Sequence, residues 1–180
     1  MVTPIRVAVA GSTGSIGTQT LEVIRAEGPE RYDIVGLGVG SSTDVLIEQA
    51  REFRPTVVAV ADPTRRAEVA AALPGIEVVA EQADLIEPAE VVINGVVGFA
   101  GLGVTVATLA AGKRLGLANK ESLIAAGPVV QPLRNVPGAE LVPVDSEHCA
   151  VHQCLRSSDG FADGSHREVS RIMLTASGGP

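Results

Sequence analysis

Tryptophan is absent from this 180-residue chain, and aromatic residues make up only 2% of it. A core must therefore be built from Val, Ala, Leu and Ile, the residues of parallel sheets buried on both faces. Hydrophobic residues reach 46%, enough for a core of ordinary size. Positive charge is also short: 14 Lys and Arg stand against 21 Asp and Glu, a formal net charge of −7. No basic stripe is present to neutralise phosphates, which disfavours nonspecific nucleic-acid binding and a basic membrane-surface role. Cysteine is limited to Cys149 and Cys154, which do not make a secreted disulfide framework and read as reduced thiols on a helix. The apolar run at the N-terminus stops at Gly11. It is too short for a membrane span and lacks a signal-peptide layout, so a soluble, reducing compartment is expected. The length suits one domain, or one and a piece of a second.

What is present is an alternation of short apolar runs and helical stretches. Strands are expected at Ile5–Ala10, Asp33–Val39, Thr56–Val60, Ile76–Val79, Val91–Asn94 and Arg114–Leu117. Helices are expected at Thr18–Ala26, Thr43–Phe53, Thr64–Leu73 and Gly101–Ala111. That order is the signature of stacked βαβ units: an α/β, Rossmann-like fold with a mostly parallel sheet flanked by helices. Near residue 128 the character changes. Pro128, Pro132, Pro137 and Pro143 crowd together and read as a connection between domains. A strand over Glu140–Val144, a polar loop over Ser157–His166 and a strand over Val169–Thr175 follow. We place a nucleotide-binding domain at residues 1–142 and the start of an α+β catalytic domain at 143–180. The chain ends on a strand-to-turn transition, which reads as a fragment.

The segment Gly11-Ser12-Thr13-Gly14-Ser15-Ile16-Gly17 directly follows a strand and opens a helix, the context that pyrophosphate binding needs. Unpaired N–H groups and a partial positive charge gather at such a helix start, and Ser12, Thr13 and Ser15 can add hydroxyl donors. The spacing is G-x-x-G-x-x-G rather than G-x-G-x-x-G, and a ligand-free tight turn is the competing reading. After the second strand, Gly38-Val39-Gly40-Ser41-Ser42 carries no acid to hold the ribose 2′-hydroxyl of NAD. It carries no base to hold a 2′-phosphate either. Ser41 and Ser42 could donate to one, which favours NADP. Asn94-Gly95 either lines the nicotinamide half or is a plain turn. Lys120-Glu121 either binds an anion and a hydroxyl or is a surface pair at a helix start.

Asp145 and Glu147 follow an apolar strand. If that segment stays extended, both point to one face and suit a hard ion such as Mg²⁺ or Mn²⁺. A third ligand must then come from elsewhere. Otherwise Asp145 or Ser146 caps a helix, with Glu147 in its first turn. His148 and His152 would share a helix face, but the zinc motif H-E-x-x-H is absent.

Five segments occur in order: GSTGSIGTQTLEVI (11–24), NGVVGFAGL (94–102), LANKESLIAAG (117–127), PVDSEH (143–148) and LTASGGP (174–180). Together they resemble the 1-deoxy-D-xylulose 5-phosphate reductoisomerase family, over the whole chain. The resemblance implies an NADPH- and divalent-metal-dependent oxidoreductase of isoprenoid biosynthesis in the bacterial cytosol, homodimeric at full length. It implies that Gly11, Thr13, Gly14, Ser15, Ile16, Gly40, Asn119 and Glu121 bind the cofactor, and that Lys120 contacts substrate and acts in catalysis. It implies Asp145 and Glu147 as catalytic metal ligands, with Ser146, Glu147 and Ser177 binding the sugar phosphate. Family members continue past this point with another metal-binding Glu and a lid, so the chain is expected to bind NADPH and to be inactive alone. Another Rossmann-fold NAD(P)-dependent oxidoreductase, or a nonenzymatic nucleotide-binding module, is the alternative.

Overall fold

The computed structural model describes residues 3–157 and 169–173. Seven parallel strands form one sheet in the order β4-β3-β2-β1-β5-β6-β7. They are β1 (Ile5–Ala10), β2 (Tyr32–Val39), β3 (Val57–Val60), β4 (Glu77–Val79), β5 (Val91–Asn94), β6 (Arg114–Leu117) and β7 (Glu140–Pro143). The helices are α1 (Ser15–Glu27), α2 (Thr43–Phe53), α3 (Arg66–Ala72), α4 (Leu102–Ala110), α5 (Lys120–Leu133) and α6 (Ser146–Arg156). Short 3₁₀ turns lie at Gln82–Ile86 and Gly98–Gly101. The Rossmann-like expectation holds. Strand order reverses between β1 and β5, and ligands bind at such a switch point, outside the carboxyl ends of the strands.

Every buried hydrophobic among the described residues is Val, Leu, Ile or Ala. Side chains alternate across a strand, so β1 sends Val7 and Val9 to one layer and Ala8 and Ala10 to the other. The first layer packs α1, α2 and α3 through Leu21, Ile24, Leu46, Ile47 and Val69. The second is thin, because Ala8, Gly36 and Gly38 present almost no side chain. A Cβ at Gly38 would stand 2.7 Å from both Leu85 Cδ1 and Gln82 Oε1. That thinness lets the Gln82–Ile86 turn lie directly on the strands, with Leu85 fully buried.

Three readings are sharpened or revised. The proline-rich stretch, read as a connection, is largely helical: Pro128 and Pro132 sit inside α5, which breaks helical geometry at Ala126 (φ −130°, ψ 25°). Proline lacks the N–H and crowds the preceding turn, so the kink falls just ahead of Pro128. Of the two readings of the segment after β7, the helical one holds from Ser146 on. Residues 169–173 form no strand, while 174 and 175, and most of the loop assigned to Ser157–His166, lie outside the described residues. Boundaries elsewhere differ by a few residues. α1 starts at Ser15 rather than Thr18, because the last turn of the glycine segment is already helical. No helix among the described residues is long and apolar enough to cross a membrane.

Candidate functional site

Strand register sets one row across the sheet. Ala10 pairs with Gly38 and with Asn94, Asn94 with Leu117, and Leu117 with Pro143. All strands are parallel, so Gly11, Gly40, Gly95, Lys120 and Asp145 all follow that row on the same edge. The residues singled out in the sequence are thereby brought to one side of the molecule, save Ser177, which lies outside the described residues.

The glycine turn is built by close backbone contacts. Gly11 has φ +76°, and a Cβ there would stand 2.9 Å from the Gly95 carbonyl. A Cβ on Gly17 would lie 2.3 Å from the Gly11 carbonyl oxygen, so only glycine lets α1 seat against its own entry turn. Gly14 differs: its φ is −78°, it is the N-cap of α1, and it makes no side-chain cap bond. Gly14 and Ser15 are exposed. The first amides of α1 therefore have no preceding turn and no side chain to accept from them. This fits a diphosphate.

Two glutamines, neither read from the sequence, hold the turn. Ser12 Oγ donates to Gln49 Oε1 at 2.8 Å, and Gln49 Nε2 donates back to the Ser12 carbonyl at 3.1 Å. Ser12 is fully buried, so its hydroxyl is not a phosphate donor. The Gly11 amide meets Gln82 Oε1 at 2.9 Å. The signal for Gln49 was available: it is a polar residue on the buried stripe of α2 that includes Leu46, Ile47 and Ala50.

Asn94 and Asn119 are also turned inward. Asn94 Nδ2 donates to the Gly101 carbonyl and to Thr105 Oγ1, while its Oδ1 accepts from the Val96 amide. Asn119 caps α5 by accepting from the Ser122 amide at 2.8 Å and from the Ser122 hydroxyl. Its Nδ2 donates to the Val96 and Gly98 carbonyls. Both side chains clamp the 96–101 loop. Lys120 and Glu121 open α5 and are exposed.

Asp145 caps α6. Its Oδ1 accepts from the His148 amide at 2.9 Å and lies 2.7 Å from His148 Nδ1, so of the two readings of the acidic pair the capping one holds locally. Burial pushes the Asp145 carboxyl up, but the His148 amide and ring outweigh it and hold it below the usual range. The Glu147 carboxyl is also lowered, by its own amide, by the Ser146 hydroxyl and by nearby Lys120. Both are ionised at neutral pH, as a hard cation requires. Asp145 and Lys120 line a cleft of about 290 Å³ with His148 and His152. Ser146 and Glu147 line an adjoining one of about 520 Å³ with Arg171 and Met173. Among the described residues no group of three or more His, Cys, Asp or Glu is gathered for a metal. Cys149 and Cys154 are free thiols on α6.

Comparison with known proteins gives the following. The sequence profile of 1-deoxy-D-xylulose 5-phosphate reductoisomerase matches residues 7–127, and that of the same enzyme's C-terminal domain matches 141–180. The chain is 49% identical to the 1-deoxy-D-xylulose 5-phosphate reductoisomerase of Gloeobacter violaceus, over 96% of this chain and 45% of that protein. It is also 49% identical to the reductoisomerase of Rhodococcus jostii, over 98% and 43%. A crystal structure of DOX-P reductoisomerase in complex with magnesium superposes with a TM-score of 0.82 at 38% identity, over 91% of this chain and 42% of that one. The Zymomonas mobilis enzyme in complex with NADPH superposes with a TM-score of 0.75 at 35% identity, over 82% and 40%. The chain thus spans less than half the length of the relatives it matches.

Proposed function

The chain belongs to the 1-deoxy-D-xylulose 5-phosphate reductoisomerase family, and from that premise we propose that the protein carrying it converts 1-deoxy-D-xylulose 5-phosphate to 2-C-methyl-D-erythritol 4-phosphate in the bacterial cytosol. When bound, NADPH supplies the hydride and Mg²⁺ or Mn²⁺ the Lewis acid for this rearrangement and reduction. The chain's own residues bind and orient. The amides of Thr13, Ser15 and Ile16, with Gly11 and Gly14 leaving room, hold the pyrophosphate. Gly40 lets the adenosine ribose approach the end of β2. Asn119 acts by clamping the loop beside the cofactor, and Glu121 accepts from a cofactor hydroxyl. Lys120 contacts the substrate near the acidic pair and offsets its charge. Asp145 and Glu147 are the carboxylate ligands of the ion, and the Ser146 hydroxyl binds substrate oxygens. Ser177 completes the proposal as a phosphate ligand.

The observation that carries this reading is the shared edge. A helix start with uncapped amides, a lysine and two ionised carboxylates follow β1, β6 and β7 on the same side of the sheet. Two carboxylates are too few for an ion that takes octahedral oxygen coordination. From the 180-residue chain we therefore expect NADPH binding without turnover. In the full-length protein, NADPH consumption should require both the sugar phosphate and the divalent ion, and Asp145→Asn should raise the Mg²⁺ concentration needed and lower the rate. Unchanged kinetics at limiting Mg²⁺ would remove Asp145 from the site.

A further inference from the structure

The end of β2 poses a problem for a protein that uses NADPH. Gly40, Ser41 and Ser42 are all exposed, and none carries charge. Nothing in that segment answers a 2′-phosphate with a cation.

The structure brings one from the neighbouring strand. Pairing between β2 and β3 runs past their ends: the Ala61 amide donates to the Val39 carbonyl and the Asp62 amide to the Gly40 carbonyl, each at 3.1 Å. The turn after β3 is thereby stitched to Gly40. Asp62 Oδ1 then accepts from the Thr64 amide and hydroxyl at 2.9 and 2.7 Å, and the Arg65 amide donates to the Asp62 carbonyl. This tight turn delivers two arginines, and they differ in what they do. Arg66 donates from Nε to the Val60 carbonyl at 2.8 Å and from Nη2 to the Ala61 carbonyl at 2.9 Å, so its fork is spent on backbone.

Arg65 reaches toward α2. Its Nη2 lies 3.4 Å from Asp44 Oδ1, in the first turn of that helix, and 3.4 Å from Glu68 Oε1. Both are long contacts to exposed carboxylates, which contribute little in water. Its Nε comes within 3.1 Å of Glu68 Oε2 but is buried with no hydrogen-bond acceptor. The Thr43 hydroxyl, next to Asp44, is likewise buried and unpartnered. Ser42, the N-cap of α2, makes no side-chain cap bond.

We propose that Arg65 reads the 2′-phosphate of NADPH and is the specificity-determining residue for that cofactor in this chain. The assignment rests on the dinucleotide reading above and deepens it. A guanidinium presents a planar fork that matches a phosphate, and a cation near the end of β2 is where a Rossmann-like fold distinguishes NADP from NAD. Ser41 and Ser42 add hydroxyl donors on the Gly40 side. Gly40, Ser41 and Ser42 carry no acid to hold the ribose, so NADH gains nothing from that segment.

The test is fluorescence titration of the chain with NADPH and with NADH at fixed salt, for the wild type, Arg65→Ala and Arg65→Lys. Arg65→Ala should weaken NADPH binding by about 10- to 100-fold, the range for losing a charge-assisted pair, and leave NADH binding unchanged. Arg65→Lys keeps the charge without the fork and should fall between. The assignment is overturned if Arg65→Ala binds NADPH as the wild type does, or if NADPH and NADH weaken together. A folded wild-type chain that binds neither nucleotide would sink the dinucleotide reading itself. Binding of both with no preference would sink only the role of Arg65.

Discussion

The turn after β1 and the corner after β7 leave the same edge of the same sheet, yet they are held in different ways. The first is buttressed from inside the protein. Gln49 on α2 and Gln82 from the 3₁₀ turn grip its backbone, Gly95 closes against Gly11, and α1 buries Gly17, Leu21 and Ile24 beneath it. The second rests on its cap. α6 buries no residue among those described, and the Asp145 carboxylate is held there by His148 and its own amide. A site whose shape is fixed before the ligand arrives loses less freedom on binding. By that measure the glycine turn is preorganised within the described residues, and the acidic corner is not.

Substitutions can break this contrast, and the largest effect is expected at Gly17. In Gly17→Ala the new methyl would collide with the Gly11 carbonyl, a backbone atom that cannot swing aside. Forcing it in should cost about 3 kcal/mol, near the upper end for overpacking. Thermal unfolding would show the loss, and NADPH binding would go with it. Next is Gln49→Ala, which strands the Ser12 hydroxyl and carbonyl in the interior. Unsatisfied buried groups of this kind cost about 2 kcal/mol, which should lower the melting temperature of the whole domain. The smallest is Asp145→Ala. Loss of a helix cap costs about 1 kcal/mol. Since α6 is not buried, hydrogen exchange should quicken in α6 alone while the global melt stays put. A global shift from Asp145→Ala, or only a local one from Gln49→Ala, would erase the contrast.

Much of this was legible in the sequence because its signals are local. Short apolar runs between helical stretches pointed to the parallel sheet, and the glycine segment was placed correctly at the passage from β1 into α1. What escaped was decided across the sheet. Arg65 stands near Gly40 only because β3 pairs beside β2, and Gln82 reaches Gly11 only because Gly36 and Gly38 leave room above β2. Pro128 and Pro132 looked like punctuation, but a single distortion at Ala126 lets the helix go on. The acidic pair had two local readings, an extended metal-binding face and a helix cap. The strand ends at Pro143, and Asp145, itself still extended, caps the helix that begins at Ser146.

If the uncapped start of α1 holds a diphosphate, Gly14→Asp should abolish that binding without unfolding the chain. Gly14 already has extended N-cap geometry, and an added Cβ would meet only the Gly11 carbonyl, at 3.4 Å. Asp is among the best N-cap residues, so the variant should fold at least as stably as the wild type. Its carboxylate would occupy and charge the place a phosphate needs. Titration with NADPH should give binding for the wild type and none for this folded variant; equal binding by the two would contradict the account.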